Sequence, residues 1–152
     1  MSVDETNEKR FESDIEADML AGGYTRNNDT YDAENALYLD TLIRFVKGTQ
    51  PKSWQRFELQ SGTPEKFAKA FQSAVDMDGL LAVLRNGFKH RGIPFRVCYF
   101  KPESGLNQTA TDNYNANEIT VNRQWYYSAD NKNSVDMVIA VNGIPVFAFE
   151  LK

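Results

Sequence analysis

Two apolar runs near the end of the chain, residues 135–141 and 144–151, are joined by Asn142-Gly143 alone. Asn-Gly suits two successive left-handed backbone positions, so two β-prone runs joined by it predict a tight antiparallel hairpin. Neither run alternates apolar with polar residues. Both faces of each are hydrophobic, which predicts central strands covered by helices on either side. Three residues break the pattern: Asp136 at the start of the first run, and Glu150 and Lys152 at the end of the second. A buried charge is costly unless it is paired or bound to a metal.

Glu150 and Lys152 are two residues apart, so on a strand they share a face, with Cα atoms roughly 6.6–6.8 Å apart. A carboxylate from each strand and an amine on the same side could hold Mg²⁺ against a phosphate while the lysine orients or helps deprotonate a water. That arrangement describes phosphodiester hydrolysis. The same residues are also compatible with a plain Glu150–Lys152 salt bridge at a strand end. Strand parity separates the two. A strict two-residue turn with regular pairing throughout would put Val135 across from Glu150 and Asp136 across from Phe149, sending the two carboxylates to opposite faces. The chemistry requires a register shift by one, through a three-residue connection or a bulge, that sets Asp136 across from Glu150.

Upstream, the apolar period is helical. Phe11, Ile15, Met19 and Leu20 predict a first helix over 8–21, with acids on its polar side and a stop at Gly22-Gly23. A second helix is expected over 32–47, with Pro51 as the break beyond it. Pro64 opens a third, carried by Phe67, Ala70, Phe71 and Ala74, and a fourth runs from Gly79 to Gly87. At Gly92 the period changes to two: 95–100 and 118–127 read as strands, separated by a loop rich in Asn, Pro and Gly. The organisation expected is a single domain over 1–152, helical over 8–90 and β-rich over 93–152, of α/β class with a mixed central sheet flanked by helices.

Charge and cysteine content narrow the possibilities. The net charge of −4 gives no global attraction for nucleic acid, which argues against a simple DNA-coating protein but not against an enzyme whose metal site needs carboxylates. Acids crowd the first eighteen residues, whereas Arg85, Lys89, Arg91, Arg96 and Lys101 follow one another without an intervening acid. That stretch is either a phosphate-contacting surface or an ordinary solvated basic face. Cys98 is the only cysteine, so neither an intrachain disulfide nor a cysteine zinc site can be built, as suits a reducing cytoplasm. Trp54, Trp125 and Tyr126 read as packing residues and His90 as a surface or phosphate-side residue.

The run from Asn117 to Ser128, with its Arg123-Gln124 pair, then the Asp136-led strand, Asn142-Gly143-Ile144-Pro145 and the closing Glu150-Leu151-Lys152, resembles the nuclease region of type I restriction enzyme R subunits. Phe11-Glu12, Gly22-Gly23-Tyr24, the stretch from Phe45 to Pro51 and the stretch from Phe95 to Pro102 extend the resemblance over nearly the whole chain. It implies a restriction-endonuclease-like fold of the PD-(D/E)xK superfamily and Mg²⁺-dependent cleavage of double-stranded DNA in the cytoplasm, in a complex with modification and specificity subunits and with no membrane. By the same resemblance Asp136 and Glu150 are metal ligands, Lys152 is the catalytic lysine, and Glu12 is a further acid at the metal, with Glu16 in reserve. Lys89, Arg91, Arg96 and Arg123 are the phosphate-contact candidates. Val135 stands where the superfamily name has proline.

The chain has no Gly-x-x-x-x-Gly-Lys-Ser/Thr phosphate loop, so ATP is expected to act only in the full subunit, through a motor outside this chain. The family continues past the position of Lys152, so the sequence reads as truncated at the catalytic strand. Such a piece is expected to fold poorly alone or to be inactive. The reading from a different class is a nuclease-like docking module without activity; a stand-alone nuclease of the same superfamily is the third.

Overall fold

The hairpin forms around a two-residue turn. In the computed structural model, which describes residues 2–127, 130 and 133–151, β4 (Ser134–Val141) and β5 (Ile144–Phe149) are antiparallel, with Val141 paired to Ile144. Asn142 and Gly143 have φ of 52° and 83°, the two positive values that a type I′ turn demands. Asn142 has a second task. Fully buried, it accepts a hydrogen bond from the Glu118 amide on its Oδ1 (2.8 Å), while its own amide donates to the Glu118 carbonyl (2.8 Å). The turn is thereby tied to the residue that precedes β3 (Ile119–Tyr126), the strand on the other side of β4.

Among the described residues the chain is α/β, with six helices and two antiparallel sheets, and it divides into two compact units. The first comprises Met1–Tyr38 and Glu118–Lys152. It holds the β3-β4-β5 sheet and α1 (Val3–Ala21), which packs on β3. Among the described residues parallel pairing is confined to one bridge, Thr25 to Thr120, so a mixed sheet exists only in that minimal sense. The helix starts five residues before the expected Glu8, because Ser2 and Glu5 form a capping box: Ser2 Oγ accepts from the Glu5 amide (3.2 Å) and the Ser2 amide donates to Glu5 Oε2 (3.1 Å). Its buried residues are Glu12 and Glu16, while Phe11 is 51% exposed, so the expected apolar face does not form. The expectation that both hairpin strands are covered on each side also fails: β4 is central, but β5 lies at the sheet edge with Phe147 68% exposed.

The second unit, Leu39–Asn117, is helical with a small hairpin. The helix expected over 32–47 begins only at Leu39 as α2 (Leu39–Thr49). Asp32 instead closes a turn on Leu37, its Oδ1 accepting from the amides of Glu34 and Asn35, a local alternative that competes with helix formation. The helix ends at Thr49, so Pro51 lies just beyond it as expected, and Pro51 is also the first residue of a further helix, α3 (Pro51–Leu59), a position where its missing N–H costs nothing. Then follow α4 (Pro64–Asp78), capped by Thr63, and α5 (Leu80–Asn86). Gly87 ends α5 with φ 70°, and a Cβ there would collide with the Phe95 carbonyl.

Strand β1 (Phe88–His90) pairs with β2 (Ile93–Phe95). Phe57, Phe67, Phe88 and Phe95 pack around one another with ring centroids 5.1–6.0 Å apart, and this cluster is the centre of the unit. The strand expected over 95–100 stops at Phe95 because side-chain amides replace a partner strand. Gln50 bonds both backbone groups of Arg96 (2.6 and 2.8 Å) and Asn117 bonds both of Tyr99 (3.1 and 2.6 Å). The loop expected after Pro102 contains α6 (Gln108–Asn115), capped by Asn107.

The double role of Asn142 gives a direct test. Asn142→Gly keeps the turn but strands the Glu118 amide, and should lower stability by about 1–3 kcal/mol. Asn142→Ala loses the bond and adds left-handed strain, and should lower it further. Urea unfolding of the three proteins orders them, and equal midpoints for wild type and Asn142→Gly would mean the side-chain bond is worth nothing.

Candidate active site

The register of the hairpin changes once. From the turn, Val141 pairs with Ile144 and Ala140 with Pro145; then a bulge intervenes, and Ile139 pairs with Phe147, Val138 with Ala148 and Met137 with Phe149. The extra residue is Val146. The last pair is Met137 with Phe149; the same register continued by one residue would set Asp136 across from Glu150, the arrangement the chemistry requires, although the turn itself has only two residues. The Leu151 amide donates to Asp136 Oδ2 at 2.8 Å, which orients the half-buried carboxylate of β4 toward the end of β5. Glu150 is exposed beside it. Lys152 lies outside the described residues.

Counting across β3 extends the row. Arg123 pairs with Met137 and Trp125 with Val135, so Gln124 lies across from Asp136. Gln124 has φ 52°, an uncommon value for a non-glycine residue and one that breaks the pleat. As a result the neighbours Arg123 and Gln124, which a regular strand would send to opposite faces, both reach Glu12. Arg123 Nε donates to Glu12 Oε1 at 2.7 Å, and Gln124 Nε2 donates to both carboxylate oxygens at 3.2 Å. Glu12 is 2% exposed, so this is a nearly buried charge matched by a guanidinium and an amide.

Glu16, one turn further along α1, is likewise buried and accepts from Arg26 Nη2 at 2.8 Å. That hydrogen bond first, and the attraction of the carboxylate second, raise the Arg26 pKa. The two acids of α1 thus have different partners. Glu12 reaches the strand that borders Asp136, whereas Glu16 holds the chain just after the helix.

Among the described residues, no three His, Cys, Asp or Glu side chains gather closely enough to hold a metal ion as a set. Asp136 and Glu150 directly follow the Met137–Phe149 pair on their two chains, and Glu12 bonds Gln124 on the strand that borders β4. A pair is a sufficient protein contribution for Mg²⁺, which binds through one or two carboxylates and takes its remaining oxygens from water and phosphate. Of the phosphate-contact candidates, Arg123 is engaged with Glu12, and Arg96 donates through Nη1 to the Arg85 carbonyl at the end of α5 (2.7 Å). Lys89 and Arg91 are exposed on the β1–β2 hairpin. Trp125 packs edge-on against Tyr31, with centroids 5.3 Å apart, and His90 packs edge-on against Phe57 at 5.6 Å.

Arg26 as the partner of Glu16 and Gln124 as a partner of Glu12 were not assigned from sequence. For the second, the Arg123-Gln124 pair in an otherwise strand-like run reads from sequence as contacting either the site or DNA, or as structural, and its partner proves to be the Glu12 carboxylate. No helix among the described residues is long and apolar enough to cross a membrane.

Removing the Arg123 side chain should leave the Glu12 charge buried and under-compensated. Arg123→Ala is expected to cost about 3 kcal/mol, and adding Glu12→Gln in the same chain should restore most of it, as read from urea unfolding curves. Additive losses in the double variant would show that the two side chains do not act as a pair.

One family model, described as type I restriction enzyme R protein N terminus, matches residues 52–152. The span includes the whole of β3, β4 and β5 and begins after α1. Neither a curated protein nor a solved structure matches the chain.

Proposed function

Since this chain belongs to the family of type I restriction enzyme R protein N-termini, we propose that it is the nuclease part of such an R subunit and cleaves double-stranded DNA with Mg²⁺. The observation that carries the reading is the bulge at Val146, after which Met137 pairs with Phe149, so that Asp136 and Glu150 are the next residues out on the two chains. On this proposal the fold is restriction-endonuclease-like, Asp136 and Glu150 are the metal ligands, and Lys152 orients or helps deprotonate the attacking water. The ion, when bound, supplies charge to offset the phosphate and to acidify a water.

The chain's own residues do the rest. The Leu151 amide holds the Asp136 carboxylate in place, so little reorganisation is needed when a cation arrives. Glu150, exposed at the end of β5, is reachable from solvent and from DNA. Glu12 serves as the helix-borne acid of the site, acting through Gln124, whose backbone position lies across from Asp136. The modification and specificity subunits are the proposed protein partners and supply the choice of DNA site. ATP is used by a motor elsewhere in the full subunit.

One observation favours a second reading. Glu12 is committed to Arg123 and Gln124, and the described acids do not form a three-member set, which would suit a docking module built on the same fold but without activity.

Plasmid nicking separates the two readings. Supercoiled DNA is incubated with Mg²⁺ or with EDTA and the R polypeptide carrying this chain, as wild type, Asp136→Asn and Lys152→Ala. Nicking that needs Mg²⁺ and falls about a hundredfold or more in either variant, a loss of roughly 3 kcal/mol in transition-state stabilisation, is expected. Equal nicking by all three proteins would remove Asp136 and Lys152 from the mechanism, and no nicking by any would leave the docking reading.

A further inference from the structure

Charge divides sharply between the two units. Leu39–Asn117 carries eleven Lys and Arg against seven Asp and Glu, whereas the rest of the chain carries six against fourteen. The acid-rich unit contains Asp136 and Glu150. A polyanion is better received by the other.

Within the basic unit, a cleft of about 580 Å³ lies between α4 and the β1–β2 hairpin. Four exposed cations border it, two from each element. Lys66 and Lys69 are three residues apart on α4 and so lie on one side of the helix. Lys89 and Arg91 come from the hairpin. The Lys66 ammonium donates to the Ser61 carbonyl (2.8 Å), and Asp78 is the acid on the lining.

Arg91 stands at an unusual place. His90 pairs with Ile93, so Arg91 and Gly92 form a two-residue turn with φ of 49° and 80°. Asn, Asp or Gly would occupy the first of these positions more readily than arginine. Local folding therefore does not account for a guanidinium at the tip of this hairpin, beside Lys89.

The cleft also shows what it would not bind. Phe57 and Phe88 line it, but they are 1% and 8% exposed and their faces are packed against Phe67, Phe95 and Phe71. The half-buried His90 ring on the lining lies edge-on to Phe57, and neither phenylalanine offers the open face on which sequence-tolerant single-strand binding stacks bases. What remains is a set of cations suited to phosphates.

Resting on the function proposed above, we propose that this cleft is a separate DNA contact, in which Lys66, Lys69, Lys89 and Arg91 hold the sugar-phosphate backbone of duplex DNA without regard to sequence. The contact positions the duplex and leaves base reading to other subunits.

Anisotropy of a labelled random-sequence duplex, titrated with the full 152-residue chain in EDTA over a series of salt concentrations, tests the proposal. The variant Lys66→Gln, Lys69→Gln, Lys89→Gln, Arg91→Gly is compared with Lys47→Gln, Lys52→Gln, Arg56→Gln, Lys101→Gln, which removes equal charge from the same unit. Glycine suits the turn at position 91, and circular dichroism checks that both variants fold. Expected are a loss of affinity of at least about tenfold and a salt slope shallower by about 0.9 for each lost phosphate contact in the first variant only. Wild-type affinity in the first variant, or an equal loss in both, overturns the proposal. The nuclease reading is scored separately by nicking in Mg²⁺. Binding lost only in the first variant, with no nicking by wild type, retains the cleft and removes the nuclease; nicking with unchanged binding in the first variant does the reverse.

Discussion

Side chains on a strand alternate between faces with a period of two, so the position of a carboxylate at one end of a hairpin depends on every pairing between it and the turn. In this chain the turn is a regular type I′ with Val141 against Ile144, and regular pairing from there would separate Asp136 from Glu150. The extra residue at Val146 reverses that outcome. The chemistry proposed for the site depends on this bulge, because no rotamer change can carry a carboxylate through a sheet whose centre is filled by Met137, Val138 and Ala140. Bulges recur beside active sites for this reason: they re-aim a side chain without altering the strands around it.

A second physical theme is the use of side-chain amides and acids where backbone or apolar contacts would be expected. Gln50 and Asn117 replace a strand along residues 96–99, and Asn122 bonds the backbone of Asn27 on both sides, donating to its carbonyl and accepting from its amide. α1 is held to β3 through Glu12 and its partners, with a neighbouring pair at Glu16, and not through an apolar stripe. Buried pairs of this sort add less net stability than an apolar contact of equal size, but they are strict about geometry. They set Gln124 at a fixed place in the row that contains Asp136.

The hairpin, the alternation beyond Glu118 and the need for a register shift were legible in the sequence, because turn chemistry and side-chain period act locally. The family was legible too, from Asn142-Gly143-Ile144-Pro145 and Glu150-Leu151-Lys152. Other features were not, and each for a definite reason. Asp32 folds its carboxylate onto nearby amides, a choice that composition does not distinguish from the start of a helix. Pro51 marks the end of α2, as its chemistry suggests, but that it also opens α3 was not legible, because a proline suits the first turn of a helix as well as the break before it. Residues 95–100 have strand-like composition, but their partners are two amides distant in the chain, Gln50 and Asn117. On α1 the periodicity pointed to Phe11 as the inner face, whereas the acids are inside because β3 offers Arg123 and Gln124 to Glu12 and the segment after the helix offers Arg26 to Glu16.

The bulge has a bearing on association between copies as well. An edge strand such as β5 presents backbone groups that a stray strand can zip onto, and an exposed Phe147 would add adhesion. A flat ladder is needed for such zipping, and here it is interrupted twice: Pro145 has no amide to offer, and the extra residue after it throws the following groups out of step. The irregularity that shifts the hairpin register therefore also makes this border of the sheet a poor template for polymerisation.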